Sequence, residues 1–181
     1  MKYSSILVIL LSLITLSCED RHNNVSKKID SLSKVEQPDQ LAHGVTVLFT
    51  DSSVTKAILY SKRARIYQNK YMTYLDSGIK VDFMSEKSGS RISVLTADSA
   101  QIDDRTKDML ARGNVLVISD STGTRLETQL LQWNNVQQKI YSTENVLITT
   151  PNEIIRGRGF ESDPNLINYK ISNVSGIQHR R

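Results

Sequence analysis

The chain has 181 residues, of which 39% are hydrophobic and 23% charged, with only three Pro and eight Gly. That balance suits one foldable domain of ordinary size and excludes collagen-like, coiled-coil and wholly disordered classes. A formal charge of +4 is too weak to argue for a nucleic-acid partner, and a single cysteine excludes an internal disulfide framework.

The N-terminus reads as an address. Lys2 supplies a positive start, and the eleven residues Ile6 to Leu16 form an apolar run broken only by Ser12 and Thr15. At ~1.5 Å per residue this run spans roughly 16 Å, about half of a bilayer's hydrocarbon core. It fits a secretory signal peptide better than a transmembrane helix. Leu16-Ser17-Cys18, followed at once by Glu19-Asp20-Arg21, resembles a bacterial lipoprotein lipobox, with Thr15 where a leucine is usual. On that reading residues 1–17 are removed and Cys18 becomes an acylated N-terminus, anchored to a membrane by several chains. A buried thiol, or an ordinary signal-peptidase site, is the plainer alternative. Residues 18–43 are polar, with Val25, Ile29, Leu32 and Val35 scattered among them. They read as a tether that reaches at most ~85 Å.

From residue 44 to 178 the pattern alternates with period two and is rich in β-branched residues, the signal of strands. The strands repeat. Leu59–Ile66, Leu95–Ile102, Leu126–Trp133 and Ile155–Ser162 align, their starts stepping by 36, 31 and 29 residues. A turn follows each (Gln68-Asn69, Asp103-Asp104, Asn134-Asn135, Asp163-Pro164-Asn165), and then a second strand containing Ile79, Val115, Val146 or Val174. Within Leu95–Ile102 the apolar parity runs through Leu95 and Ala97, then changes to Ala100 and Ile102. Leu126 and Thr128 pass to Leu131 and Trp133 at the same repeat position. A parity change inside a strand needs a bulge, and its recurrence at one place predicts a row of bends. The expected fold is all-β: eight or nine core strands plus a first strand at Val45–Phe49, in one folded-over antiparallel sheet of jellyroll type with open edges. Residues 179–181 are read as a tail.

No constellation points to catalysis. All three histidines, His22, His43 and His179, lie near the ends of the folded region, so a nucleophile inside it has no histidine base. Asp120-Ser121-Thr122-Gly123 and Asp103-Asp104 read as turns. Neither cofactor nor metal is expected. Arg156 and Arg158 alternate with Gly157 and Gly159, so both face one side, either solvent or a phosphorylated headgroup. Lys62, Arg63 and Arg65 offer a less ordered version of the same chemistry. Leu95, Ala97, Val115, Val117, Leu126, Leu131, Trp133, Val146, Ile148 and Ile155 form the apolar parity, which side-chain alternation alone assigns equally to a dry core or a lipid slot. The last strand, expected at about Leu166 to Val174, has no later strand to cover it. Ile167, Asn168, Tyr169, Lys170, Ile171 and Ser172 carry a single charge and no proline, so that edge is expected to pair with another chain.

Leu95-Thr96-Ala97-Asp98-Ser99-Ala100 together with Gly113-Asn114-Val115-Leu116-Val117 resembles the repeat of the lipopolysaccharide-transport proteins of Gram-negative envelopes. Arg156-Gly157-Arg158-Gly159-Phe160 and Val174-Ser175-Gly176 resemble the last repeat of one family among them, LptC. Known members of that family carry an N-terminal transmembrane helix where this chain has a lipobox. The resemblance implies a tethered periplasmic domain on the inner membrane whose apolar interior holds the acyl chains of lipopolysaccharide. It also implies one edge paired with the permease subunits of an ABC transporter and the opposite edge paired with a periplasmic bridge protein of like fold. The competing readings are a scaffold lipoprotein that binds only proteins, and a surface glycan-binding lipoprotein. One Trp and three Phe give the latter few aromatic platforms.

Overall fold

The computed structural model describes residues 36–179; the signal peptide, Cys18 and nearly all of the tether lie outside them. Among the described residues the regular structure is ten strands and one 3-10 turn, Gln68–Lys70. The strands are β1 (Gln40–Asp51), β2 (Val54–Tyr67), β3 (Met72–Met84), β4 (Arg91–Ala97), β5 (Ser99–Asp103), β6 (Met109–Ser119), β7 (Arg125–Asn134), β8 (Lys139–Thr149), β9 (Glu153–Ser162) and β10 (Tyr169–His179). They make one antiparallel sheet in the order β1-β2-β3-β4-β6-β7-β8-β9-β10, with β5 continuing the course of β4 between β3 and β6. The chain thus meanders from one edge, β1, to the other, β10. β1 starts earlier than expected from the sequence, so residues 40–43 belong to the sheet rather than to the tether.

The bends predicted from parity are register shifts aligned across the sheet. Ser61 and Ala64 of β2 face Ile79 and Leu75 of β3, so three residues along one strand oppose four along the next. The same mismatch sets Val115 and Ala111 against Thr128 and Leu131. It recurs where Val146 and Ser142 face Gly157 and Phe160. A step of three flips the parity of β7 and β9, whereas a step of four preserves it in β3, β6 and β8. The extra residue is absorbed by left-handed backbone at Ser77-Gly78 in β3 and Gly113-Asn114 in β6. Each bulge frees backbone groups, and local polar side chains take them up. Ser61 Oγ donates to the Asp76 carbonyl at 3.1 Å, and its sister in the repeat, Thr128 Oγ1, donates to the Asn145 carbonyl at 2.9 Å. Asp98, which separates β4 from β5, accepts from Asn114 Nδ2 at 2.8 Å.

This crease folds the sheet into two leaves whose inner faces form one apolar cluster. Particular contacts join the leaves. Phe49 of β1 and Phe83 of β3 each pack edge-on against Trp133 of β7, with centroids 4.7 and 5.6 Å away. Ser93 Oγ of β4 donates to the Pro164 carbonyl in the loop between β9 and β10 at 2.5 Å, and Leu166 from that loop is buried.

β10 packs closely over Gly157 of β9. A Cβ at Gly157 would meet Ile171 Cγ2 at 2.5 Å and the Asn173 carbonyl oxygen at 2.6 Å, whereas one at Gly176 would meet nothing within 4 Å. Gly157→Ala is therefore expected to displace β10 and cost about 1–3 kcal/mol, as overpacking does. Gly176→Ala is expected to stay within ~0.5 kcal/mol of the parent. Chemical denaturation of the two variants side by side measures the difference.

Candidate functional site

The ten candidate slot residues come together in the single core cluster, and none is more than 8% exposed. The alternation of the strands explains why. Register pairs run without a break from Leu59 to Val81, Leu95, Val117, Leu126, Ile148 and Ile155, one aliphatic residue per strand. On the other leaf a row of smaller residues, Ala64, Leu75, Ala100, Ala111 and Leu131, crosses the sheet in the same way. Glu127, between Leu126 and Thr128, is exposed on the outer face.

The aliphatic row does not end at the core's boundary. Ile155 pairs with Ile177 of β10, and Gly157 pairs with Val174. Ile177 is 56% exposed and Val174 54%. The apolar interior therefore surfaces along β10, at the edge where sheet pairing stops. Sequence parity misses Ile177 because the register slips between Val174 and Gly176, so the repeat's two-residue step lands on Gly176 instead. Phe49 and Phe83, which close over Trp133, are also missed. Their contact joins strands widely separated in the sheet order, and no local pattern reports it.

The edge itself differs in extent from the sequence-based expectation. Ile167 and Asn168 precede β10 in a turn, because Asp163 captures them: its Oδ1 accepts the Ile167 N–H at 3.2 Å and its Oδ2 the Asn168 amide at 3.1 Å. The strand begins at Tyr169 and carries Lys170, Ile171 and Ser172 on to His179. Tyr169 stacks on Phe160 of β9 at 6.2 Å.

Several polar groups outside the apolar row have structural partners. Arg156 and Arg158 face outward, away from the apolar row, and Arg158 Nε donates to the Thr143 carbonyl at 3.2 Å. Arg63 and Arg65 share Asp76. Asp120 accepts from Nε and Nη2 of Arg91 while its loop closes a hairpin. The Asp103 carboxyl accepts the N–H groups of Arg105 and Thr106, which hold it below the usual carboxylate range. Among the described residues no group of acids, histidines or cysteines has the arrangement of a metal site, and no helix is long and apolar enough to cross a membrane.

Among the described residues two buried side-chain atoms lack a hydrogen bond: Asp82 Oδ1, which keeps an ion pair with Arg91 at 3.5 Å, and Trp133 Nε1. Trp133 is 1% exposed, and among the described residues its Nε1 has no hydrogen-bond partner. Leaving such a donor unmet costs about 1–3 kcal/mol.

Burial, aided by Glu153, pushes the Tyr169 phenol above the ordinary tyrosine value of about 10. A raised folded value favours the neutral form, so this contribution to stability is complete below the unfolded value and is lost as pH rises through the folded one. Tyr169→Phe is expected to flatten the decline in stability above pH ~10, measured by thermal unfolding across that range. An unchanged alkaline limb would show that the phenol is not held in the fold.

Comparison with known proteins agrees with this geometry. The family described as "Lipopolysaccharide-assembly, LptC-related" matches residues 5–175, nearly the whole chain. A comparison with curated proteins gives no match. With its folded-over sheet and this match along almost its full length, the chain belongs to the LptC-related family of lipopolysaccharide-assembly proteins, and its role lies in lipopolysaccharide transport.

Proposed function

We propose that this protein is the membrane-anchored periplasmic component of a lipopolysaccharide exporter. It accepts lipopolysaccharide from an inner-membrane ABC transporter and passes it to a bridge protein of like fold. The observation that carries this reading is the aliphatic row that crosses the sheet buried and then surfaces at Val174 and Ile177 on an open edge. A partner strand added at β10 would cover these residues and extend the apolar face. Cys18 supplies the lipid anchor, β1 takes the permease, and β10 adds a strand from the bridge protein by β-augmentation. The inner leaf residues Leu95, Ala97, Val115, Val117, Leu126, Leu131, Trp133, Val146, Ile148 and Ile155 then surround acyl chains when the leaves part. The bridge protein's own apolar interior would continue the row beyond Ile177.

Two experiments separate lipid transfer from scaffolding. A photo-reactive residue at Val117 or Ile148 is expected to capture lipopolysaccharide in cells, while one at the outward Glu127 captures none. Protein adducts without lipid at all three would favour a scaffold. For the edge, backbone N–H groups point alternately to the two sides of a strand, so of Lys170 and Ile171 only one donates outward. Proline at that position is expected to abolish capture of the bridge protein with the fold kept, and proline at the other to break the β9–β10 ladder. Two folded variants that both still capture the bridge protein would remove β10 as its docking edge.

A further inference from the structure

We infer that Trp133 reads a polar atom on the lipid chain: its indole N–H donates to an ester or amide carbonyl, or a hydroxyl, carried by an acyl chain in the interior. This rests on the proposed reading of the interior as an acyl slot, and adds which residue senses which atom of the occupant.

Trp133 sits in a row across the second leaf, Thr73, Ile102, Met109, Trp133, Ile140 and Ser162 by register. The two hydroxyls of that row are satisfied by the protein: Thr73 Oγ1 donates to Asp104 at 2.8 Å and Ser162 Oγ to the Asn168 carbonyl at 3.1 Å. Trp133 Nε1 alone in the row is a buried donor without an acceptor. The repeat pattern does not call for an indole here, since the sister positions hold Ile66, Ile102 and Ser162, although Phe49 and Phe83 pack on this one. Buried polar groups are paired as a rule, and an orphan donor in an apolar core points to an acceptor that arrives with a ligand. That ligand must be mostly hydrocarbon, to suit the surrounding row, and must carry oxygen within reach of its chain.

The ring nearest the indole belongs to an edge strand and borders a hollow. Phe49, the ring closest against Trp133, belongs to β1, a strand hydrogen-bonded on one side only. A hollow of about 180 Å³ opens beside it, lined by Val47, Phe49, Thr73 and Ile102 with Asp104 and Asn135 at its polar rim. A chain entering past Phe49 meets the indole first.

The test uses the protein from residue 18 onward with Cys18→Ala, so that no acyl chain of its own competes. Stearic acid is compared with a set of keto-stearic acids bearing one ketone at different carbons. Trp133 is the only tryptophan, so its emission reports occupancy directly, and calorimetry serves the Trp133→Phe variant. At least one keto acid is expected to bind about five- to tenfold tighter than stearic acid, the range of one net hydrogen bond, with its ketone stretching band moved to lower frequency. Trp133→Phe should bind stearic acid still, lose the preference and leave the band unmoved. If stearic acid binds but the unaltered protein shows neither preference nor band shift, the slot stands and the Trp133 contact is wrong. A preference retained in Trp133→Phe overturns it equally, and the band shift in the unaltered protein decides the matter should that variant fail to fold. If neither acid binds at all, the acyl-slot reading falls and this inference falls with it.

Discussion

The molecule depends on one mismatch, three residues against four, repeated between successive strands at the same height of the sheet. A sheet of ten strands without it would leave one broad apolar face in water, an aggregation hazard. The aligned bulges crease the sheet and turn that face upon itself, so the two leaves bury each other's side chains. The crease is held by short polar side chains. Ser61 and Thr128 occupy the same repeat position and close the same kind of freed carbonyl, and Asp98 bridges to Asn114.

A closed interior and a lipid slot are compatible when the magnitudes are compared. Releasing Phe49 gives up its one ring contact with Trp133, about 0.5–1.5 kcal/mol, and the burial of one Phe side chain, about 1.5–3 kcal/mol. An acyl chain brings about 0.8 kcal/mol for each CH₂ it buries, so a chain of about a dozen carbons offers on the order of 9 kcal/mol. The lipid outweighs the latch. Because β1 bears Phe49 and the loop leading to β10 bears Leu166, the residues that shut the interior sit on or beside the two edges open to partners.

Much of this was readable from residue order, because strand alternation and its recurring parity change are local patterns. Leu95, Ala97, Ala100 and Ile102 announce the crease by themselves, and the repeats carry it across the sheet. The family, too, was recognisable in those repeats. What stayed hidden depends on contacts distant in sequence or on single-residue slips. Phe49 and Trp133 meet only because the sheet folds over, and Ile177 joins the apolar row only because β10 slips at Ser175. The start of β10 at Tyr169 follows from one carboxylate, Asp163, holding Ile167 and Asn168 in a turn. The lipobox reading of Cys18 falls outside the described residues.

The most direct measurement is a methyl-NMR titration of the protein, with Ile, Leu and Val methyls labelled, against lipopolysaccharide. Leu95, Val117, Leu126 and Ile148 point into the interior, whereas Leu116, Ile118 and Leu147 on the same strands face outward. If acyl chains enter between the leaves, the inward methyls shift along the whole row, with intermolecular contacts to lipid chain protons. Shifts confined to Leu116, Ile118 and Leu147, with the inward row unmoved at saturation, would contradict an acyl-chain slot.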